Sequence, residues 1–267
     1  MTPFTVTRGD SPVILGMPHT GTWLPDDLTA RLNDNGRQLA DTDWHIARLY
    51  EGLLPGATIV ASTVHRYAID ANRDPAGVSL YPGQNTTTLC PLTDFDGRAL
   101  WAKGQEPSED EILARRDAFH TPYHQALAAE VARVCDRHGV AILYDCHSIR
   151  SEIPFLFPGI LPVFSIGTND GTTCAPRIEA ATHAACAAAS DFTHVLNGRF
   201  KGGWTTRHYG RPDQKVHAIQ MELAQNAYLS TESPPWTYDA PKANRLRAPL
   251  GTILTQLDQI ARSGALS

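Results

Sequence analysis

Long apolar runs are missing from this 267-residue sequence. No stretch approaches the roughly 18 apolar residues that a membrane-spanning helix needs, so no membrane is expected among its partners. The first nine residues carry no basic segment followed by an apolar core, so no secretory signal is expected either. Cysteine is scarce: Cys90, Cys135, Cys146, Cys174 and Cys186 form no CxxC pair, which excludes a four-cysteine zinc site and a disulfide framework. Neither GxxxxGK[ST] nor GxGxxG occurs, so nucleotide binding has little support. Positive charge is not in excess either. A net charge of −5 argues against a nucleic-acid partner. With 42% hydrophobic and 19% charged residues, disorder and coiled coil are excluded. The remaining class is a globular protein of a reducing compartment, and a cytoplasmic location is expected.

Histidine, by contrast, is plentiful: there are eleven, several beside Asp or Gly at the ends of apolar runs. The apolar runs 12–17, 57–61, 140–144, 162–167 and 193–196 predict strands, as does the alternating run 216–222. A further extended piece is predicted over 65–71. Helices are predicted over 41–50, 107–138, 177–190 and 244–260, the second stopped by Gly139. Residues 74–96, rich in Pro, Gly, Thr and Asn, predict a long ordered loop with a functional role, and 200–212 a glycine-rich loop. Strands alternating with helices predict an α/β fold: one domain over residues 1–267, with helices on both faces of a mixed, mostly parallel sheet.

Such sheets bind ligands beyond the carboxyl ends of their strands. His19 follows the first predicted strand, His147 follows 140–144, and Glu222 ends 216–222. Two neutral imidazoles and a carboxylate make a metal site, and Asp41, Asp43 and His45 each offer the third ligand. Glu222 is then available as a general base. Asp145 can bind metal or orient the His147 imidazole. Cys146 is a poor nucleophile for His147, because neighbours in a strand point to opposite faces. Arg66, Asp70, Asn72 and Arg73 lie within nine residues and suit a carboxylate clamp, with Arg150 and Arg207 adding charge near the same sheet end. A small dianionic substrate fits that pattern.

The ordered set Pro18-His19-Thr20-Gly21, Asp41-Thr42-Asp43-Trp44-His45, His65-Arg66 through Asp70-Ala71-Asn72-Arg73, Asp145-Cys146-His147-Ser148, 202–210 and Gln220-Met221-Glu222-Leu223 resembles the N-formylglutamate amidohydrolase family. The likeness runs from about Pro12 to Leu257. That family is more distantly similar to zinc carboxypeptidases and aspartoacylase. The resemblance implies a three-layer α/β/α sandwich and zinc-dependent hydrolysis of N-formyl-L-glutamate to L-glutamate and formate, in histidine breakdown. It implies His19 and His147 as zinc ligands and Glu222 as base. It matches Asn72-Arg73 to the group's carboxylate-handling pair; in the hydrolysis expected here Arg66 or Arg73 stabilises the developing oxyanion, with Asn72, Arg73, Arg150 and Arg207 on the substrate carboxylates. The wider group has Glu three residues after its first His, where this chain has Thr22. The acidic ligand is therefore assigned to Asp43, with Asp41 and His45 as alternatives. Two His and a carboxylate also suit other divalent transition metals. Competing expectations are a zinc amidohydrolase for another N-acyl acidic amino acid or a small carboxypeptidase, a non-catalytic dicarboxylate-binding protein, and a hydrolase built on Cys146. The sequence leaves the oligomeric state open.

Overall fold

The computed structural model describes residues 2–80 and 83–266. In chain order the strands are β1 (Phe4–Thr7), β2 (Val13–Met17), β3 (Thr58–Ser62), β4 (Ala141–Ile149), β5 (Phe164–Gly167), β6 (His194–Leu196) and β7 (Val216–Ala224). The helices are α1 (Asp26–Arg31), α2 (Ile46–Tyr50), α3 (Glu109–Arg115), α4 (Thr121–His138), α5 (Pro176–Ala188), α6 (Trp204–Tyr209) and α7 (Ala240–Arg262). A π-helical stretch, Arg116–His120, joins α3 to α4.

The strands form one mixed sheet in the order β1-β3-β2-β4-β7-β5-β6. Its centre, β3-β2-β4-β7, is parallel, while β1 and β5 run antiparallel to their inner neighbours. Central strands covered on both faces read as unbroken apolar runs, and β2 and β4 are buried at every position. Within each run, the two-residue period still sorts the side chains. Leu15, Tyr144, Cys146 and Met221 pack in one core against α2, α5 and α7. Ile14, Leu143 and Ala218 pack in the other, against α4 and Tyr209 of α6. The expected three layers are present.

Helical spacing explains the two large helices. In α7, Leu246, Leu250, Ile253, Leu254 and Leu257 fall on one stripe, all fully buried, and Asp239 caps the start by accepting from the Lys242 amide. Each such side chain contributes roughly 1.5–3 kcal/mol by leaving water. In α4, Tyr123, Leu127, Val131 and Val134 do the same, and Gly139 stops the helix in the left-handed region at φ 73°.

Local readings fail where tertiary bonds compete with pattern. The helix expected over 41–50 begins only at Ile46. Before it, the Asp43 amide donates to the His19 carbonyl (3.1 Å), the Thr42 hydroxyl to the Leu39 carbonyl (2.7 Å), and His45 takes a left-handed φ of 61°. The stretch 65–71 is not extended. It turns, with the Ala68 amide donating to the His65 carbonyl, which brings Arg66 onto Asp70. The glycine-rich loop 200–212 contains α6. Strand β1 and helix α1 were not expected. Residues 74–96 hold no helix or strand among the described residues; Tyr81 and Pro82 lie outside them. No helix among the described residues is long and apolar enough to cross a membrane.

Candidate active site

The chain leaves β2 toward β3 on one side and later enters β4 on the other. Such a reversal opens a crevice at the carboxyl ends of the two strands. His19 lies just past the end of β2. Strand β4 stays extended through Ile149, so Asp145 and His147 share the face that carries Leu143, and Cys146 goes to the opposite core. Gln220 and Glu222 occupy the equivalent face of β7, with His147 and Glu222 in register across the parallel pair. Asp43 enters from the turn before α2, pinned by the bond from its amide to the His19 carbonyl.

Three ligand atoms converge there. His147 Nδ1 lies 3.2 Å from His19 Nδ1 and 3.4 Å from Asp43 Oδ2, and His19 Nδ1 lies 3.7 Å from that same oxygen. All three residues are buried. A tetrahedral site with bonds of about 2.0–2.1 Å has edges of about 3.3 Å, which matches this spacing. The outer nitrogens are also served. His19 Nε2 donates to Asp70 Oδ1 at 2.7 Å, which fixes the proton there and leaves the Nδ1 lone pair facing inward. His147 Nε2 lies 3.1 Å from Asp145 Oδ1 and 3.2 Å from Asn72 Nδ2. Asp43 Oδ2, the oxygen that faces both imidazoles, accepts the Ser148 amide at 3.2 Å, while Oδ1 lies 3.9 Å from Arg66 Nη1. Two inward-facing imidazole nitrogens and a buried carboxylate oxygen at tetrahedral spacing suit a divalent cation, and the group is able to hold a metal ion.

Charge is tightly arranged around this cluster. Burial pushes Asp43 up, but the bonds to His147 and His19 outweigh it and hold the carboxyl below the usual range. Burial also opposes charge on His147, yet Asp145, Asp43 and Glu222 raise it well above an ordinary histidine. Asp70 is held low against burial by Arg66, Arg73 and His19. Glu222 is pushed up to about 8, first by burial, with Asp43 and Asp145 adding and His147 and Arg66 opposing. Its Oε2 accepts from Gln220 Nε2 at 3.1 Å, and Gln220 Oε1 accepts the Gly203 amide at 2.6 Å, which fixes the amide's orientation.

His19, His147 and Glu222 line one cavity at the carboxyl ends of the strands. Arg66, Asn72 and Arg73 line it too. Arg66 Nη2 donates to Asp70 Oδ2 at 2.5 Å, and its guanidinium sits 4.7 Å from the centre of the Phe95 ring. Phe95, Asn85, Thr86 and Thr87 bring the long loop 74–96 into the wall.

Other expected residues lie elsewhere. Arg150 is not among the residues lining the cavity and pairs with Asp96 at 3.0 Å. Arg207, also absent from the lining, turns back so that its Nε donates to the Gly202 carbonyl at 2.9 Å. Both were drawn toward the site on sequence position, but these local partners hold them away from its lining. Of the alternative ligands, His45 Nε2 bonds the Trp236 carbonyl, and Asp41 Oδ2 accepts the Phe95 amide. Cys146 is fully buried in the opposite core with its thiol pushed well up, which removes the cysteine-nucleophile reading. Sequence reading missed Arg199 and Gln220, which also line the cavity. Gln220 could have been found from its two-residue spacing to Glu222. Arg199 arrives on the loop between β6 and α6, where no strand-end rule points.

The family model described as N-formylglutamate amidohydrolase matches residues 11–229. A protein of Pseudomonas aeruginosa named N-formylglutamate deformylase is 47% identical over 251 residues, covering 94% of each chain. One of the same name from Pseudomonas putida is 43% identical over 253 residues, covering 94% of this chain and 92% of the relative. The crystal structure of N-formylglutamate amidohydrolase from Ralstonia eutropha JMP134 superposes with a TM-score of 0.81 at 23% identity, covering 99% of this chain and 100% of that one, so the fold is shared. Sequence match and fold together settle the relationship: the chain belongs to the N-formylglutamate amidohydrolase family.

Proposed function

We propose that this protein hydrolyses N-formyl-L-glutamate to L-glutamate and formate, using a divalent metal, zinc in the first instance, held by His19, Asp43 and His147. The observation that carries the proposal is the convergence of those three ligand atoms within 4.8 Å of one another, with Glu222 on the adjoining strand. The near relatives that carry the deformylase name support the substrate. Bound there, the metal would supply Lewis acidity and lower the pKa of a water toward about 7.

Glu222 is the base. It takes a proton from the attacking water as the new C–O bond forms at the formyl carbon. It returns a proton to the nitrogen as the C–N bond breaks, releasing the amine of glutamate and formate. A carboxyl raised toward neutrality by burial suits a group that must both accept and return a proton. Arg66, steadied by Asp70, offers charge to the oxyanion that develops on the formyl oxygen. Asn72 and Arg73 stand where a substrate carboxylate would lie, within the same wall of the cavity. Arg150 and Arg207 have no part in this reading. We place the reaction in histidine breakdown, and five cysteines without a disulfide suit the cytoplasm.

The test is product analysis: purified protein supplied with N-formyl-L-glutamate should release formate and L-glutamate in equal amounts. No formate from metal-loaded protein would overturn the assignment.

A further inference from the structure

The cavity carries more positive charge than the hydrolytic step uses. Its described lining residues include three guanidinium groups, Arg66, Arg73 and Arg199, and one carboxylate, Glu222. Arg66 is committed to Asp70 at 2.5 Å. Arg73 belongs to the metal side: it adjoins Asn72, which contacts His147, and its Nη2 lies 3.7 Å from Asp70 Oδ2.

Arg199 is anchored differently. Its Nε donates to the Leu156 carbonyl and its Nη2 to the Asn85 carbonyl, each at 3.1 Å. Arg73 leans on the same stretch of loop, with Nε donating to the Thr87 carbonyl at 3.0 Å and Nη2 to the Thr87 hydroxyl at 2.9 Å. Asn85 is tied in turn to the Phe155 carbonyl through its Nδ2 at 2.8 Å. One short segment therefore braces two guanidinium groups from anchors two residues apart, a distance of at most about 7 Å along the chain. The two carboxyl carbons of an extended glutamate stand about 5 Å apart, given C–C bonds of about 1.5 Å. Leu156 and Phe200 supply apolar lining for the methylenes between them.

We propose that Arg199 receives the distal, side-chain carboxylate of the substrate while Arg73 faces the carboxylate next to the scissile amide. Residues 85–87 set the distance between the two guanidinium groups, so the site selects five-carbon dicarboxylates over neutral or shorter analogues. This rests on the deformylase reading for the identity of the substrate. The chemistry is that of a permanent guanidinium cation held in place by loop oxygens, whose charge favours a carboxylate over a neutral amide.

The experiment compares N-formyl-L-glutamate, N-formyl-L-glutamine and N-formyl-L-aspartate on wild type, Arg199→Met and Arg199→Lys, by kcat/KM and by equilibrium binding. Wild type should favour glutamate over glutamine by about 100-fold or more. Arg199→Met should lose about 100-fold on glutamate, mostly through KM, and change by no more than about threefold on glutamine. Arg199→Lys keeps the charge and the stem. It carries the test if Arg199→Met does not fold, and it should weaken glutamate more than glutamine. Equal losses on both substrates in the variants would overturn the proposal, as would a wild type that deformylates both alike while the deformylase reading stands. A wild type that binds the glutamate compound over the glutamine compound yet releases no formate would sink the deformylase reading and leave the clamp in place.

Discussion

Glu222 stands directly across the parallel β4–β7 pair from His147, in register, on the face of the sheet that carries Leu143 and Ala218. A strand pair holds two side chains on one face about 5 Å apart with little freedom. The base and a metal ligand are thus fixed relative to each other by backbone hydrogen bonds rather than by a loop.

The first prediction isolates the base. Glu222→Gln keeps the shape and the bond from Gln220 but cannot accept a proton. It should bind zinc with wild-type stoichiometry and lose about 100- to 10,000-fold in kcat, with a smaller change in KM. Metal analysis beside steady-state kinetics checks it. Wild-type turnover in metal-loaded Glu222→Gln would remove Glu222 from its role.

Metal retention should be graded by distance from the ligand atoms. His147→Ala removes a ligand and should abolish stoichiometric zinc. Asp70→Asn leaves the ligands but removes the carboxylate behind His19 Nε2 at 2.7 Å, and should weaken the metal by about 10- to 100-fold. Competition with a chelator, on protein shown to be folded by circular dichroism, measures both. Equal affinities in wild type and Asp70→Asn would contradict the role assigned to Asp70.

Gly203 should resist even the smallest side chain. A methyl group there would meet the Asn72 side chain at 2.2 Å, and that side chain already accepts the Thr205 amide at 2.8 Å and lies 3.2 Å from His147. Its φ of −78° suits any residue, so the obstacle is space rather than backbone conformation. Gly203→Ala should cost about 1–3 kcal/mol of stability and lower kcat/KM at least about tenfold. Denaturation curves and kinetics on the same sample decide. Unchanged activity would mean that Asn72 is free to move.

The buried His124 ties stability to acidity. Its Nε2 donates to the Ala71 carbonyl at 2.7 Å, and burial, with His120 adding, lowers it from 6.5 to about 3. As pH falls below 6.5 the unfolded chain takes up a proton that the folded chain refuses until about 3, so this site removes stability across that window. The loss is at most about 1.4 kcal/mol per pH unit. His124→Gln keeps an N–H donor and has nothing to titrate. The stability gap between wild type and variant should therefore narrow from about pH 7.5 to about pH 4.5, read from denaturant midpoints. A gap constant with pH would show that His124 is not held neutral.

The parts of this site that strands deliver were legible in the sequence. The apolar run before Asp145-Cys146-His147 locates the strand, and its two-residue period puts Cys146 and His147 on opposite faces, but β4 runs on to Ile149 and β7 to Ala224, so His147 and Glu222 sit inside their strands rather than at or beyond the ends. Asp43 was reached through family resemblance, and the helix expected around it was wrong. The residue is placed by a turn that a hydrogen bond to the His19 carbonyl holds, which periodicity does not encode. Arg150 and Arg199 mark the limit. Both are arginines near polar loops, and only tertiary partners, Asp96 for one and two loop carbonyls for the other, put one outside the lining and one in it. Helix α6 was hidden by the glycines flanking it, one of which exists to let Asn72 pass.

The measurement that bears most directly on the account is formate release from N-formyl-L-glutamate by the purified protein, followed before chelation, after verified metal removal, and after zinc is returned. The account predicts activity that disappears with the metal and returns with zinc in proportion to the zinc bound. Full activity in protein verified to be free of metal would contradict it.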